Sequence, residues 1–446
     1  MMQLRHEKQS VLIFRRRGKR MALHVMDEAN HCLGCKNPRC QQGCPIHTNI
    51  PEVIRLLKQN KLNEAGWMLF ENNPLTTVCS LVCNHEKQCE GHCIQGIKGA
   101  PVHFSVIENY ISSTYASQMV AGPAKPNGKR TAIIGAGPAG LTIAVILSRY
   151  GYDVTIFEAH DKIGGVLRYG IPEFRLPKSV LDDFEYRHLR LKGIKVRPNT
   201  DIGKALTLED LFRDGYKAVF IGTGVWNPNT LHIKGESLGN VHFAINYLQN
   251  PDVYHLGSHV VIICAGNAEM DVARTAIRHG TRHVLCVSLS KKLAASDYES
   301  SYARLEGVEF LCNKKPVEIT ENGVILRDLT EAEDGTLTEI PGTEMLYPAD
   351  SVIVSISQGP TMTIAEHEKQ IKINDRGLFV TDEVGRTSMP GVFASGDAVK
   401  GARTVVEAVA YSKKVAEAMH EYMQSLPLDP PDEYANVPVA KLEDGN

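Results

Sequence analysis

Eight of the chain's eleven cysteines fall between Cys32 and Cys93, where an even spread would leave about one or two. The spacing is Cys32-x2-Cys35-x4-Cys40-x3-Cys44-Pro45, then Cys79-x3-Cys83-x5-Cys89-x3-Cys93. Thiols crowded in this way in a reducing compartment hold metal rather than disulfides. Their number suits two cubane iron–sulfur clusters, although the spacing is not that of bacterial ferredoxins. Two structural zinc ions are the rival, because Cys-x2-Cys pairs also serve zinc. Cys264, Cys286 and Cys312 are scattered through apolar runs and read as core packing.

A second pattern follows. The apolar run Arg130-Thr131-Ala132-Ile133-Ile134 leads into Gly135-Ala136-Gly137-Pro138-Ala139-Gly140, then a helical stretch to Arg149 closed by Gly151. A further strand, Val154 to Phe157, delivers Glu158, 23 residues after Gly135. Gly135 makes the tight turn, Gly137 lets a pyrophosphate touch backbone, and Gly140 lets helix pack on strand. The helix start offers free N–H groups and partial positive charge to phosphates, and Glu158 can accept from ribose hydroxyls. Strand, glycines, helix and distant acid together make a dinucleotide site.

The pattern recurs, frayed, from His259. The strand His259–Ile263 meets Cys264-Ala265-Gly266-Asn267-Ala268-Glu269-Met270-Asp271, and the helix runs to His279 before Gly280. Gly266, Asn267 and Ala268 are candidate contacts for a second nucleotide. Cys264 stands where the first glycine is expected, and Glu269 where a small residue lets helix meet strand. A carboxylate in that turn suits the helix dipole but repels a pyrophosphate. Turned outward it leaves the site working; turned inward it lowers the affinity or abolishes binding. The next strand, His283 to Val287, ends in Ser288-Leu289-Ser290-Lys291-Lys292. No acid is there to select NAD, whereas Ser288, Lys291 and Lys292 can receive the 2′-phosphate of NADP, so NADP leads without being decided.

These residues need a scaffold. With 446 residues, 43% of them apolar, the chain can bury the cores of two or three domains. A net charge of −2 gives no field to attract nucleic acid or an anionic membrane. The basic run Arg15-Arg16-Arg17-Gly18-Lys19-Arg20 reads as a solvated arm rather than a docking element. The four apolar residues Val11 to Phe14 are too few for a signal-peptide core, and no stretch approaches the roughly 20 apolar residues of a membrane helix. A cytosolic protein is expected.

Residues 1–122 read as a helical segment carrying the cysteines, with Ile50 to Leu57 opening an amphipathic helix that places Pro51 in its first turn. The segment Gly122 to Gly128 is a linker. Beyond it, short β-branched runs alternate with helical patterns, the α/β texture of a parallel sheet with covering helices. The expected architecture is two nested Rossmann-like domains, a discontinuous one at 129–255 and 351–424 holding one at 256–350. Asp350–Ile356 and Gly391–Ala394 are read as strands returning to the first. The tail, 425–446, carries Pro427, Pro430 and Pro431 and is expected to be extended.

Specific sequences now supply a resemblance. Cys32-x2-Cys35-Lys36-Asn37-Pro38-x-Cys40, Gly43-Cys44-Pro45, Asn73-Pro74 and Cys89-Glu90-Gly91-x-Cys93 are similar to the N-terminal module of the glutamate synthase small-subunit family. The large subunit of the bifurcating ferredoxin–NADP transhydrogenase and dihydropyrimidine dehydrogenase share that module. The likeness extends from about Cys32 to about Met423. Gly164-Gly165-Val166-Leu167-Arg168-Tyr169-Gly170-Ile171-Pro172-Glu173-Phe174-Arg175-Leu176-Pro177 resembles the family's stretch over FAD, and Ser395-Gly396-Asp397 with Thr404 resembles its second FAD motif.

The resemblance implies FAD in the first site, held by Gly135, Gly137, Pro138, Ala139, Gly140, Glu158, Gly165, Val166, Arg175, Gly396, Asp397, Thr404 and Val405. Asp397 would hold a ribityl hydroxyl, and the helix starting near Thr404 would aim its positive end at the flavin pyrimidine. It implies two [4Fe–4S] clusters, one on Cys32, Cys35, Cys40 and Cys93, the other on Cys44, Cys83, Cys89 and Glu108. Glu108 otherwise reads as an exposed helix residue, and Cys79 becomes a spectator. No general acid or nucleophile is evident, and hydride chemistry needs none. An electron-transfer subunit is therefore expected, passing electrons between NAD(P)(H), FAD and the clusters to or from a partner oxidoreductase subunit or a ferredoxin. Whether its flavin bifurcates electrons is left open. The alternative is a non-catalytic relay or assembly subunit whose nicotinamide site has degenerated.

Overall fold

The computed structural model describes residues 24–118 and 122–428. The run Val11–Phe14, the basic arm Arg15–Arg20 and the tail beyond 428 lie outside the described residues.

The longer helices of the cysteine-rich part include α1 (Ile50–Lys58), α2 (Leu62–Asn72), α3 (Thr76–Val82) and α4 (Phe104–Gln118), beside a short turn of helix at Arg39–Gln42 that carries Cys40. In α1, Pro51 occupies the first turn, where a missing N–H leaves no bond unmade. Its buried residues Ile50, Val53, Ile54 and Leu57 are spaced to form one apolar face. That face packs with Leu69, Ile107 and Ile111, and Cys32, Cys40 and Cys93 lean on the same core.

Beyond the linker come β1 (Arg130–Ile134), α5 (Pro138–Arg149), β2 (Asp153–Phe157), β3 (Lys195–Arg197), β4 (Tyr216–Ile221) and β5 (Val241–Phe243). They are followed by β6 (His259–Ile263), α6 (Asn267–Arg278), β7 (His283–Val287), α7 (Asp297–Leu305), β8 (Val308–Leu311), β9 (Ser351–Val354), β10 (Val392–Ala394) and α8 (Val405–Ser425). Two parallel five-stranded sheets result, in the orders β10-β4-β1-β2-β3 and β5-β9-β6-β7-β8. Residues 131–134 are wholly buried, as a parallel strand covered on both faces must be. An antiparallel ribbon, Lys314–Thr320 with Gly323–Glu331 and Met345–Pro348, flanks the second sheet.

The expected α/β class and nested order are borne out, with one correction. Residues of Asp350–Ile356 were expected in the first sheet, yet β9 pairs with β6 and β5, in the second. Likewise β5, inside the expected 129–255 part, belongs to the second sheet. A buried Val-Ile-Val run fits the interior of either parallel sheet, so its sequence does not choose between them. Val392–Ala394 does join β4 in the first.

Helix α8 lies on α5, burying Val409, Val415 and Met419 with Ile143 and Leu147. The same core takes in Phe70, Leu75, Val78 and Cys79, with Cys44 and Cys83 against its edge. The end of α2 and helix α3 thus share one core with the first dinucleotide domain, while α1 and α4 pack in a core of their own.

Candidate cofactor sites

The first Gly-rich turn opens on a cleft of ≈ 460 Å³. Gly135, Gly137, Pro138, Ala139, Glu158, Gly165, Val166, Gly396, Asp397, Thr404 and Val405 all line it. The sequence puts these residues up to 270 positions apart, and two backbone features bring them together. Gly135 has φ +94°, and a Cβ there would stand 2.5 Å from Gly222 O, so only glycine fits. Gly137, by contrast, faces open space, the cradle a pyrophosphate needs. Gly140 does not face the cleft: a Cβ on it would stand 2.0 Å from Gly135 O, which makes it the glycine that lets helix meet strand.

Polar groups complete the cleft. Glu158, almost fully buried, accepts from Ala136 N at 2.7 Å and from His160 N and Nδ1 at 2.8 and 2.9 Å. His160, raised above the usual imidazole range chiefly by that bond, stacks on Tyr169 and meets Trp226 at a tilt, ring centroids 5.0 Å apart. Sequence reading missed both His160 and Trp226. Asp397 is held up to about 6 by burial and accepts from Arg403 N at 3.1 Å. Thr404 caps α8 with Glu407 in a reciprocal box, so the helix start is fixed against the cleft. Depth, cradle and helix ends fit a dinucleotide cofactor such as FAD.

Arg175 needs a correction. It is absent from the cleft and instead pairs with Asp271 at 2.6 Å and Glu299 at 2.9 Å, across to the second dinucleotide domain. A guanidinium among buried carboxylates is better compensated there than in an open cleft. Asp271, raised to about 7 by burial, keeps Oδ1 unpartnered.

The second turn copies the first bond for bond. Gly135 N donates to Phe157 O at 2.8 Å, and Cys264 N to Val287 O at 2.9 Å. Gly164 N donates to Ala136 O at 2.9 Å, and Ala295 N to Ala265 O at 3.0 Å. Gly222 N donates to Ile134 O at 2.8 Å, and Ser355 N to Ile263 O at 3.2 Å. By this register Cys264 takes the place of Gly135, Glu269 of Gly140, Ser288 of Glu158 and Ser355 of Gly222. Cys264 therefore has φ +106°, a conformation that strains any side chain by ~1–3 kcal/mol. It is half-buried at the turn and not in the core; Cys286 is in the core.

Glu269 turns inward. Only 6% exposed, it accepts from Ser355 Oγ at 2.7 Å, and a Cβ at Gly266 would stand 2.6 Å from its Oε2. Burial raises its carboxyl above the usual range, against smaller lowering by Ser355 and the N–H groups of Glu269 and Gly266. Asn267 Oδ1 accepts from Ser296 N at 2.8 Å, while Ala268 lines the first cleft, so the two sites abut. Lys291 and Lys292 are exposed, and Ser288 Oγ donates to Ser290 O at 3.0 Å. An acid absent from the local sequence is present in space: Glu331 accepts from Lys291 N at 2.7 Å.

The cysteines gather in two groups. Cys40 is pushed up to about 11 by burial first and by Cys93, Cys32 and Cys35 beside it; these four border one small cavity, and Cys89 also lines it. Cys89 is raised by burial, then by Glu108, Glu90 and Cys44, and Cys83 by its bond with Cys79, then by burial, Glu108 and Cys89. Cys44, Cys83, Cys89 and Glu108 thus lie in one neighbourhood, with Cys79 beside them. Glu108 is not exposed: it is 6% accessible, accepts from Thr76 Oγ1 at 2.7 Å, and is held up to about 7 by burial. A buried carboxyl with no cation partner calls for a proton or a metal. Among the described residues no three such side chains converge on a single ion. The donor sets fit clusters.

Known proteins match this arrangement. Residues 129–412 match the family model for pyridine nucleotide-disulphide oxidoreductase, and residues 15–120 that for dihydropyrimidine dehydrogenase domain II, 4Fe-4S cluster. The chain is 33% identical over 434 residues to the glutamate synthase [NADPH] small chain of Escherichia coli K12, covering 89% of this chain and 91% of that one. It is also 33% identical over 413 residues to the NAD-dependent dihydropyrimidine dehydrogenase subunit PreT of the same organism, covering 90% and 95%. Mycobacterium tuberculosis FprA in complex with NADPH shares the fold at TM-score 0.57 and 17% identity, over 67% of this chain and 85% of that chain. T. acidophilum thioredoxin reductase does so at TM-score 0.51 and 22% identity, over 66% of this chain and 98% of that chain.

Proposed function

The chain belongs to the pyridine nucleotide-disulphide oxidoreductase family, as an electron-transfer oxidoreductase of FAD, [4Fe–4S] clusters and pyridine nucleotide that resembles glutamate synthase small chains throughout; from that premise we propose that it is the electron-transfer subunit of a larger cytoplasmic oxidoreductase. It exchanges electrons between NAD(P)(H) and a partner subunit or ferredoxin. The observation that carries this reading is the shared core: Cys44 and Cys83 pack against the same cluster of side chains as α5 and α8, which border the FAD cleft. Lys413 of α8 donates to Asn72 Oδ1 at 2.6 Å and lies near Cys44. The quartet of Cys44, Cys83, Cys89 and Glu108 is therefore the inner one. The quartet of Cys32, Cys35, Cys40 and Cys93 is the outer, and exposed Leu33, Ile94 and Ile97 around it offer an apolar approach for the partner.

Bound FAD and clusters supply the conversion between one hydride and two single electrons. The chain's residues supply position. Gly137 and the start of α5 receive the pyrophosphate, Asp397 the ribityl chain, and α8 presents its positive end, tempered by Glu407. Ala268, which lines the first cleft from the start of α6, would stand where a nicotinamide could reach the flavin. Ser288, Lys291 and Lys292 meet the adenosine ribose, with Glu331 opposing a 2′-phosphate.

A second reading has an observation of its own. The inward Glu269 favours a relay subunit with FAD and clusters but a weakened nicotinamide site. Metal analysis tests the first part of the proposal: about eight irons and eight acid-labile sulfides per FAD are expected, and zinc without sulfide contradicts it. Glu108→Ala should alter one cluster and Cys79→Ser neither. The reverse result would give the fourth ligand to Cys79.

A further inference from the structure

Every acid near a nucleotide turn has a job except Glu269. Glu158, in the first site, sits at the ribose end and leaves the cradle at Gly137 open. Glu269 sits over Gly266, the counterpart of Gly137, with its Oε2 filling the space beside that glycine. We propose that Glu269 is a built-in competitor for the nicotinamide dinucleotide's pyrophosphate, so that nucleotide enters only as this carboxylate leaves the start of α6 or takes up a proton. The inference rests on reading residues 259–292 as the nicotinamide site.

The start of α6 has a fixed set of free N–H groups and one positive dipole end. A carboxylate and a pyrophosphate seek the same donors, and both cannot have them. Three features hold Glu269 there. Ser355 Oγ donates to Oε1, the backbone of Gly266 and Glu269 acts on the carboxylate, and its side chain is buried. The titratable groups facing it are the thiols of Cys264 in the turn and Cys286 on β7, both raised by burial first and by Glu269 second. Ser355, after β9, is the remaining polar neighbour, and no Lys, Arg or His pairs with it among the described residues. Nothing cationic therefore favours its ionised form, and an arriving phosphate disfavours it further. Binding should draw in a proton, and affinity should fall as pH rises through the raised folded-state pKa of Glu269.

Calorimetric titration of oxidised, FAD- and cluster-loaded protein with NADP+ and with NAD+ tests this, in two buffers of different ionisation enthalpy between about pH 6 and 8.5. Oxidised nucleotides keep flavin reduction out of the signal. Wild-type protein should take up protons on binding and bind more weakly at higher pH. Glu269→Gln should bind about tenfold more tightly at the high end of that range, a difference of ~1.4 kcal/mol, with the gap narrowing toward lower pH and the proton uptake gone. Ser355→Ala, which frees the carboxylate without removing it, should tighten binding by less and keep the uptake. An unchanged flavin spectrum shows that each variant is folded. Equal or weaker binding by Glu269→Gln, with proton uptake intact, overturns the inference. If neither nucleotide binds wild type or Glu269→Gln at any pH, the nicotinamide reading itself fails and the inference with it.

Discussion

Two turns of one backbone design stand side by side in this chain, and each holds one acid in a different place. In the first, glycines occupy every position that the geometry constrains, and Glu158 stands at the end of the second strand. In the second, the same hydrogen-bond register survives with Cys264, Glu269 and Ser355 at the constrained positions. The first helical bond is longer there, 3.2 Å from Met270 N to Gly266 O against 2.9 Å from Leu141 N to Gly137 O. The strand order and crossover therefore fix the turn's shape, while its side chains decide which anion rests in it.

Exchanging residues between the turns separates these effects. The largest change is expected from Gly140→Glu, which imposes the second turn's residue on the first. With a Cβ 2.0 Å from Gly135 O, the helix must move, at a cost of about 3 kcal/mol, and the protein should purify without flavin while keeping its iron. Full FAD occupancy would show that the two turns are more alike than their contacts state. Next comes Ser288→Glu, which gives the second site the acid of the first. It should favour NADH over NADPH by about tenfold in binding, because a carboxylate accepts from a ribose 2′-hydroxyl and repels a 2′-phosphate. An unchanged ratio would mean that position 288 does not meet the ribose.

Smaller shifts sharpen the same contrast. Cys264→Gly should raise stability by ~1 kcal/mol in a denaturant titration, since relief of the +106° φ exceeds the entropy that glycine adds to the unfolded chain. Destabilisation would place an unseen function on the thiol. The pH dependence of stability should change least. Glu269's folded-state pKa is raised by burial, so the folded chain holds that proton longer than the unfolded one. Stability is thus lost as pH rises from the unfolded carboxyl pKa through the folded one. Glu269→Gln should remove that part of the slope and leave stability at low pH unchanged.

What was readable from sequence depended on distance along the chain. The first turn and its acid are local, within 24 residues, and the short windows Cys32–Cys44 and Cys83–Cys93 announce metal by composition alone. The division of the cysteines into quartets came from resemblance, because spacing does not say which thiols meet in space. Three things were out of reach. Arg175 finds Asp271 and Glu299 across a domain boundary, Glu269 turns inward because Ser355 is 86 residues downstream, and β9 joins the second sheet although its buried run fits either. Each depends on a tertiary neighbour that no periodicity reports.

The electron path from nicotinamide to clusters is tested most directly by anaerobic titration of the loaded wild-type protein with NADPH and NADH, following flavin absorbance and the low-temperature electron paramagnetic resonance of the clusters. Bleaching of the flavin by one nucleotide, followed by a reduced-cluster signal, is the expected result. Flavin that stays oxidised with both nucleotides, in wild type and in Glu269→Gln alike, would contradict it.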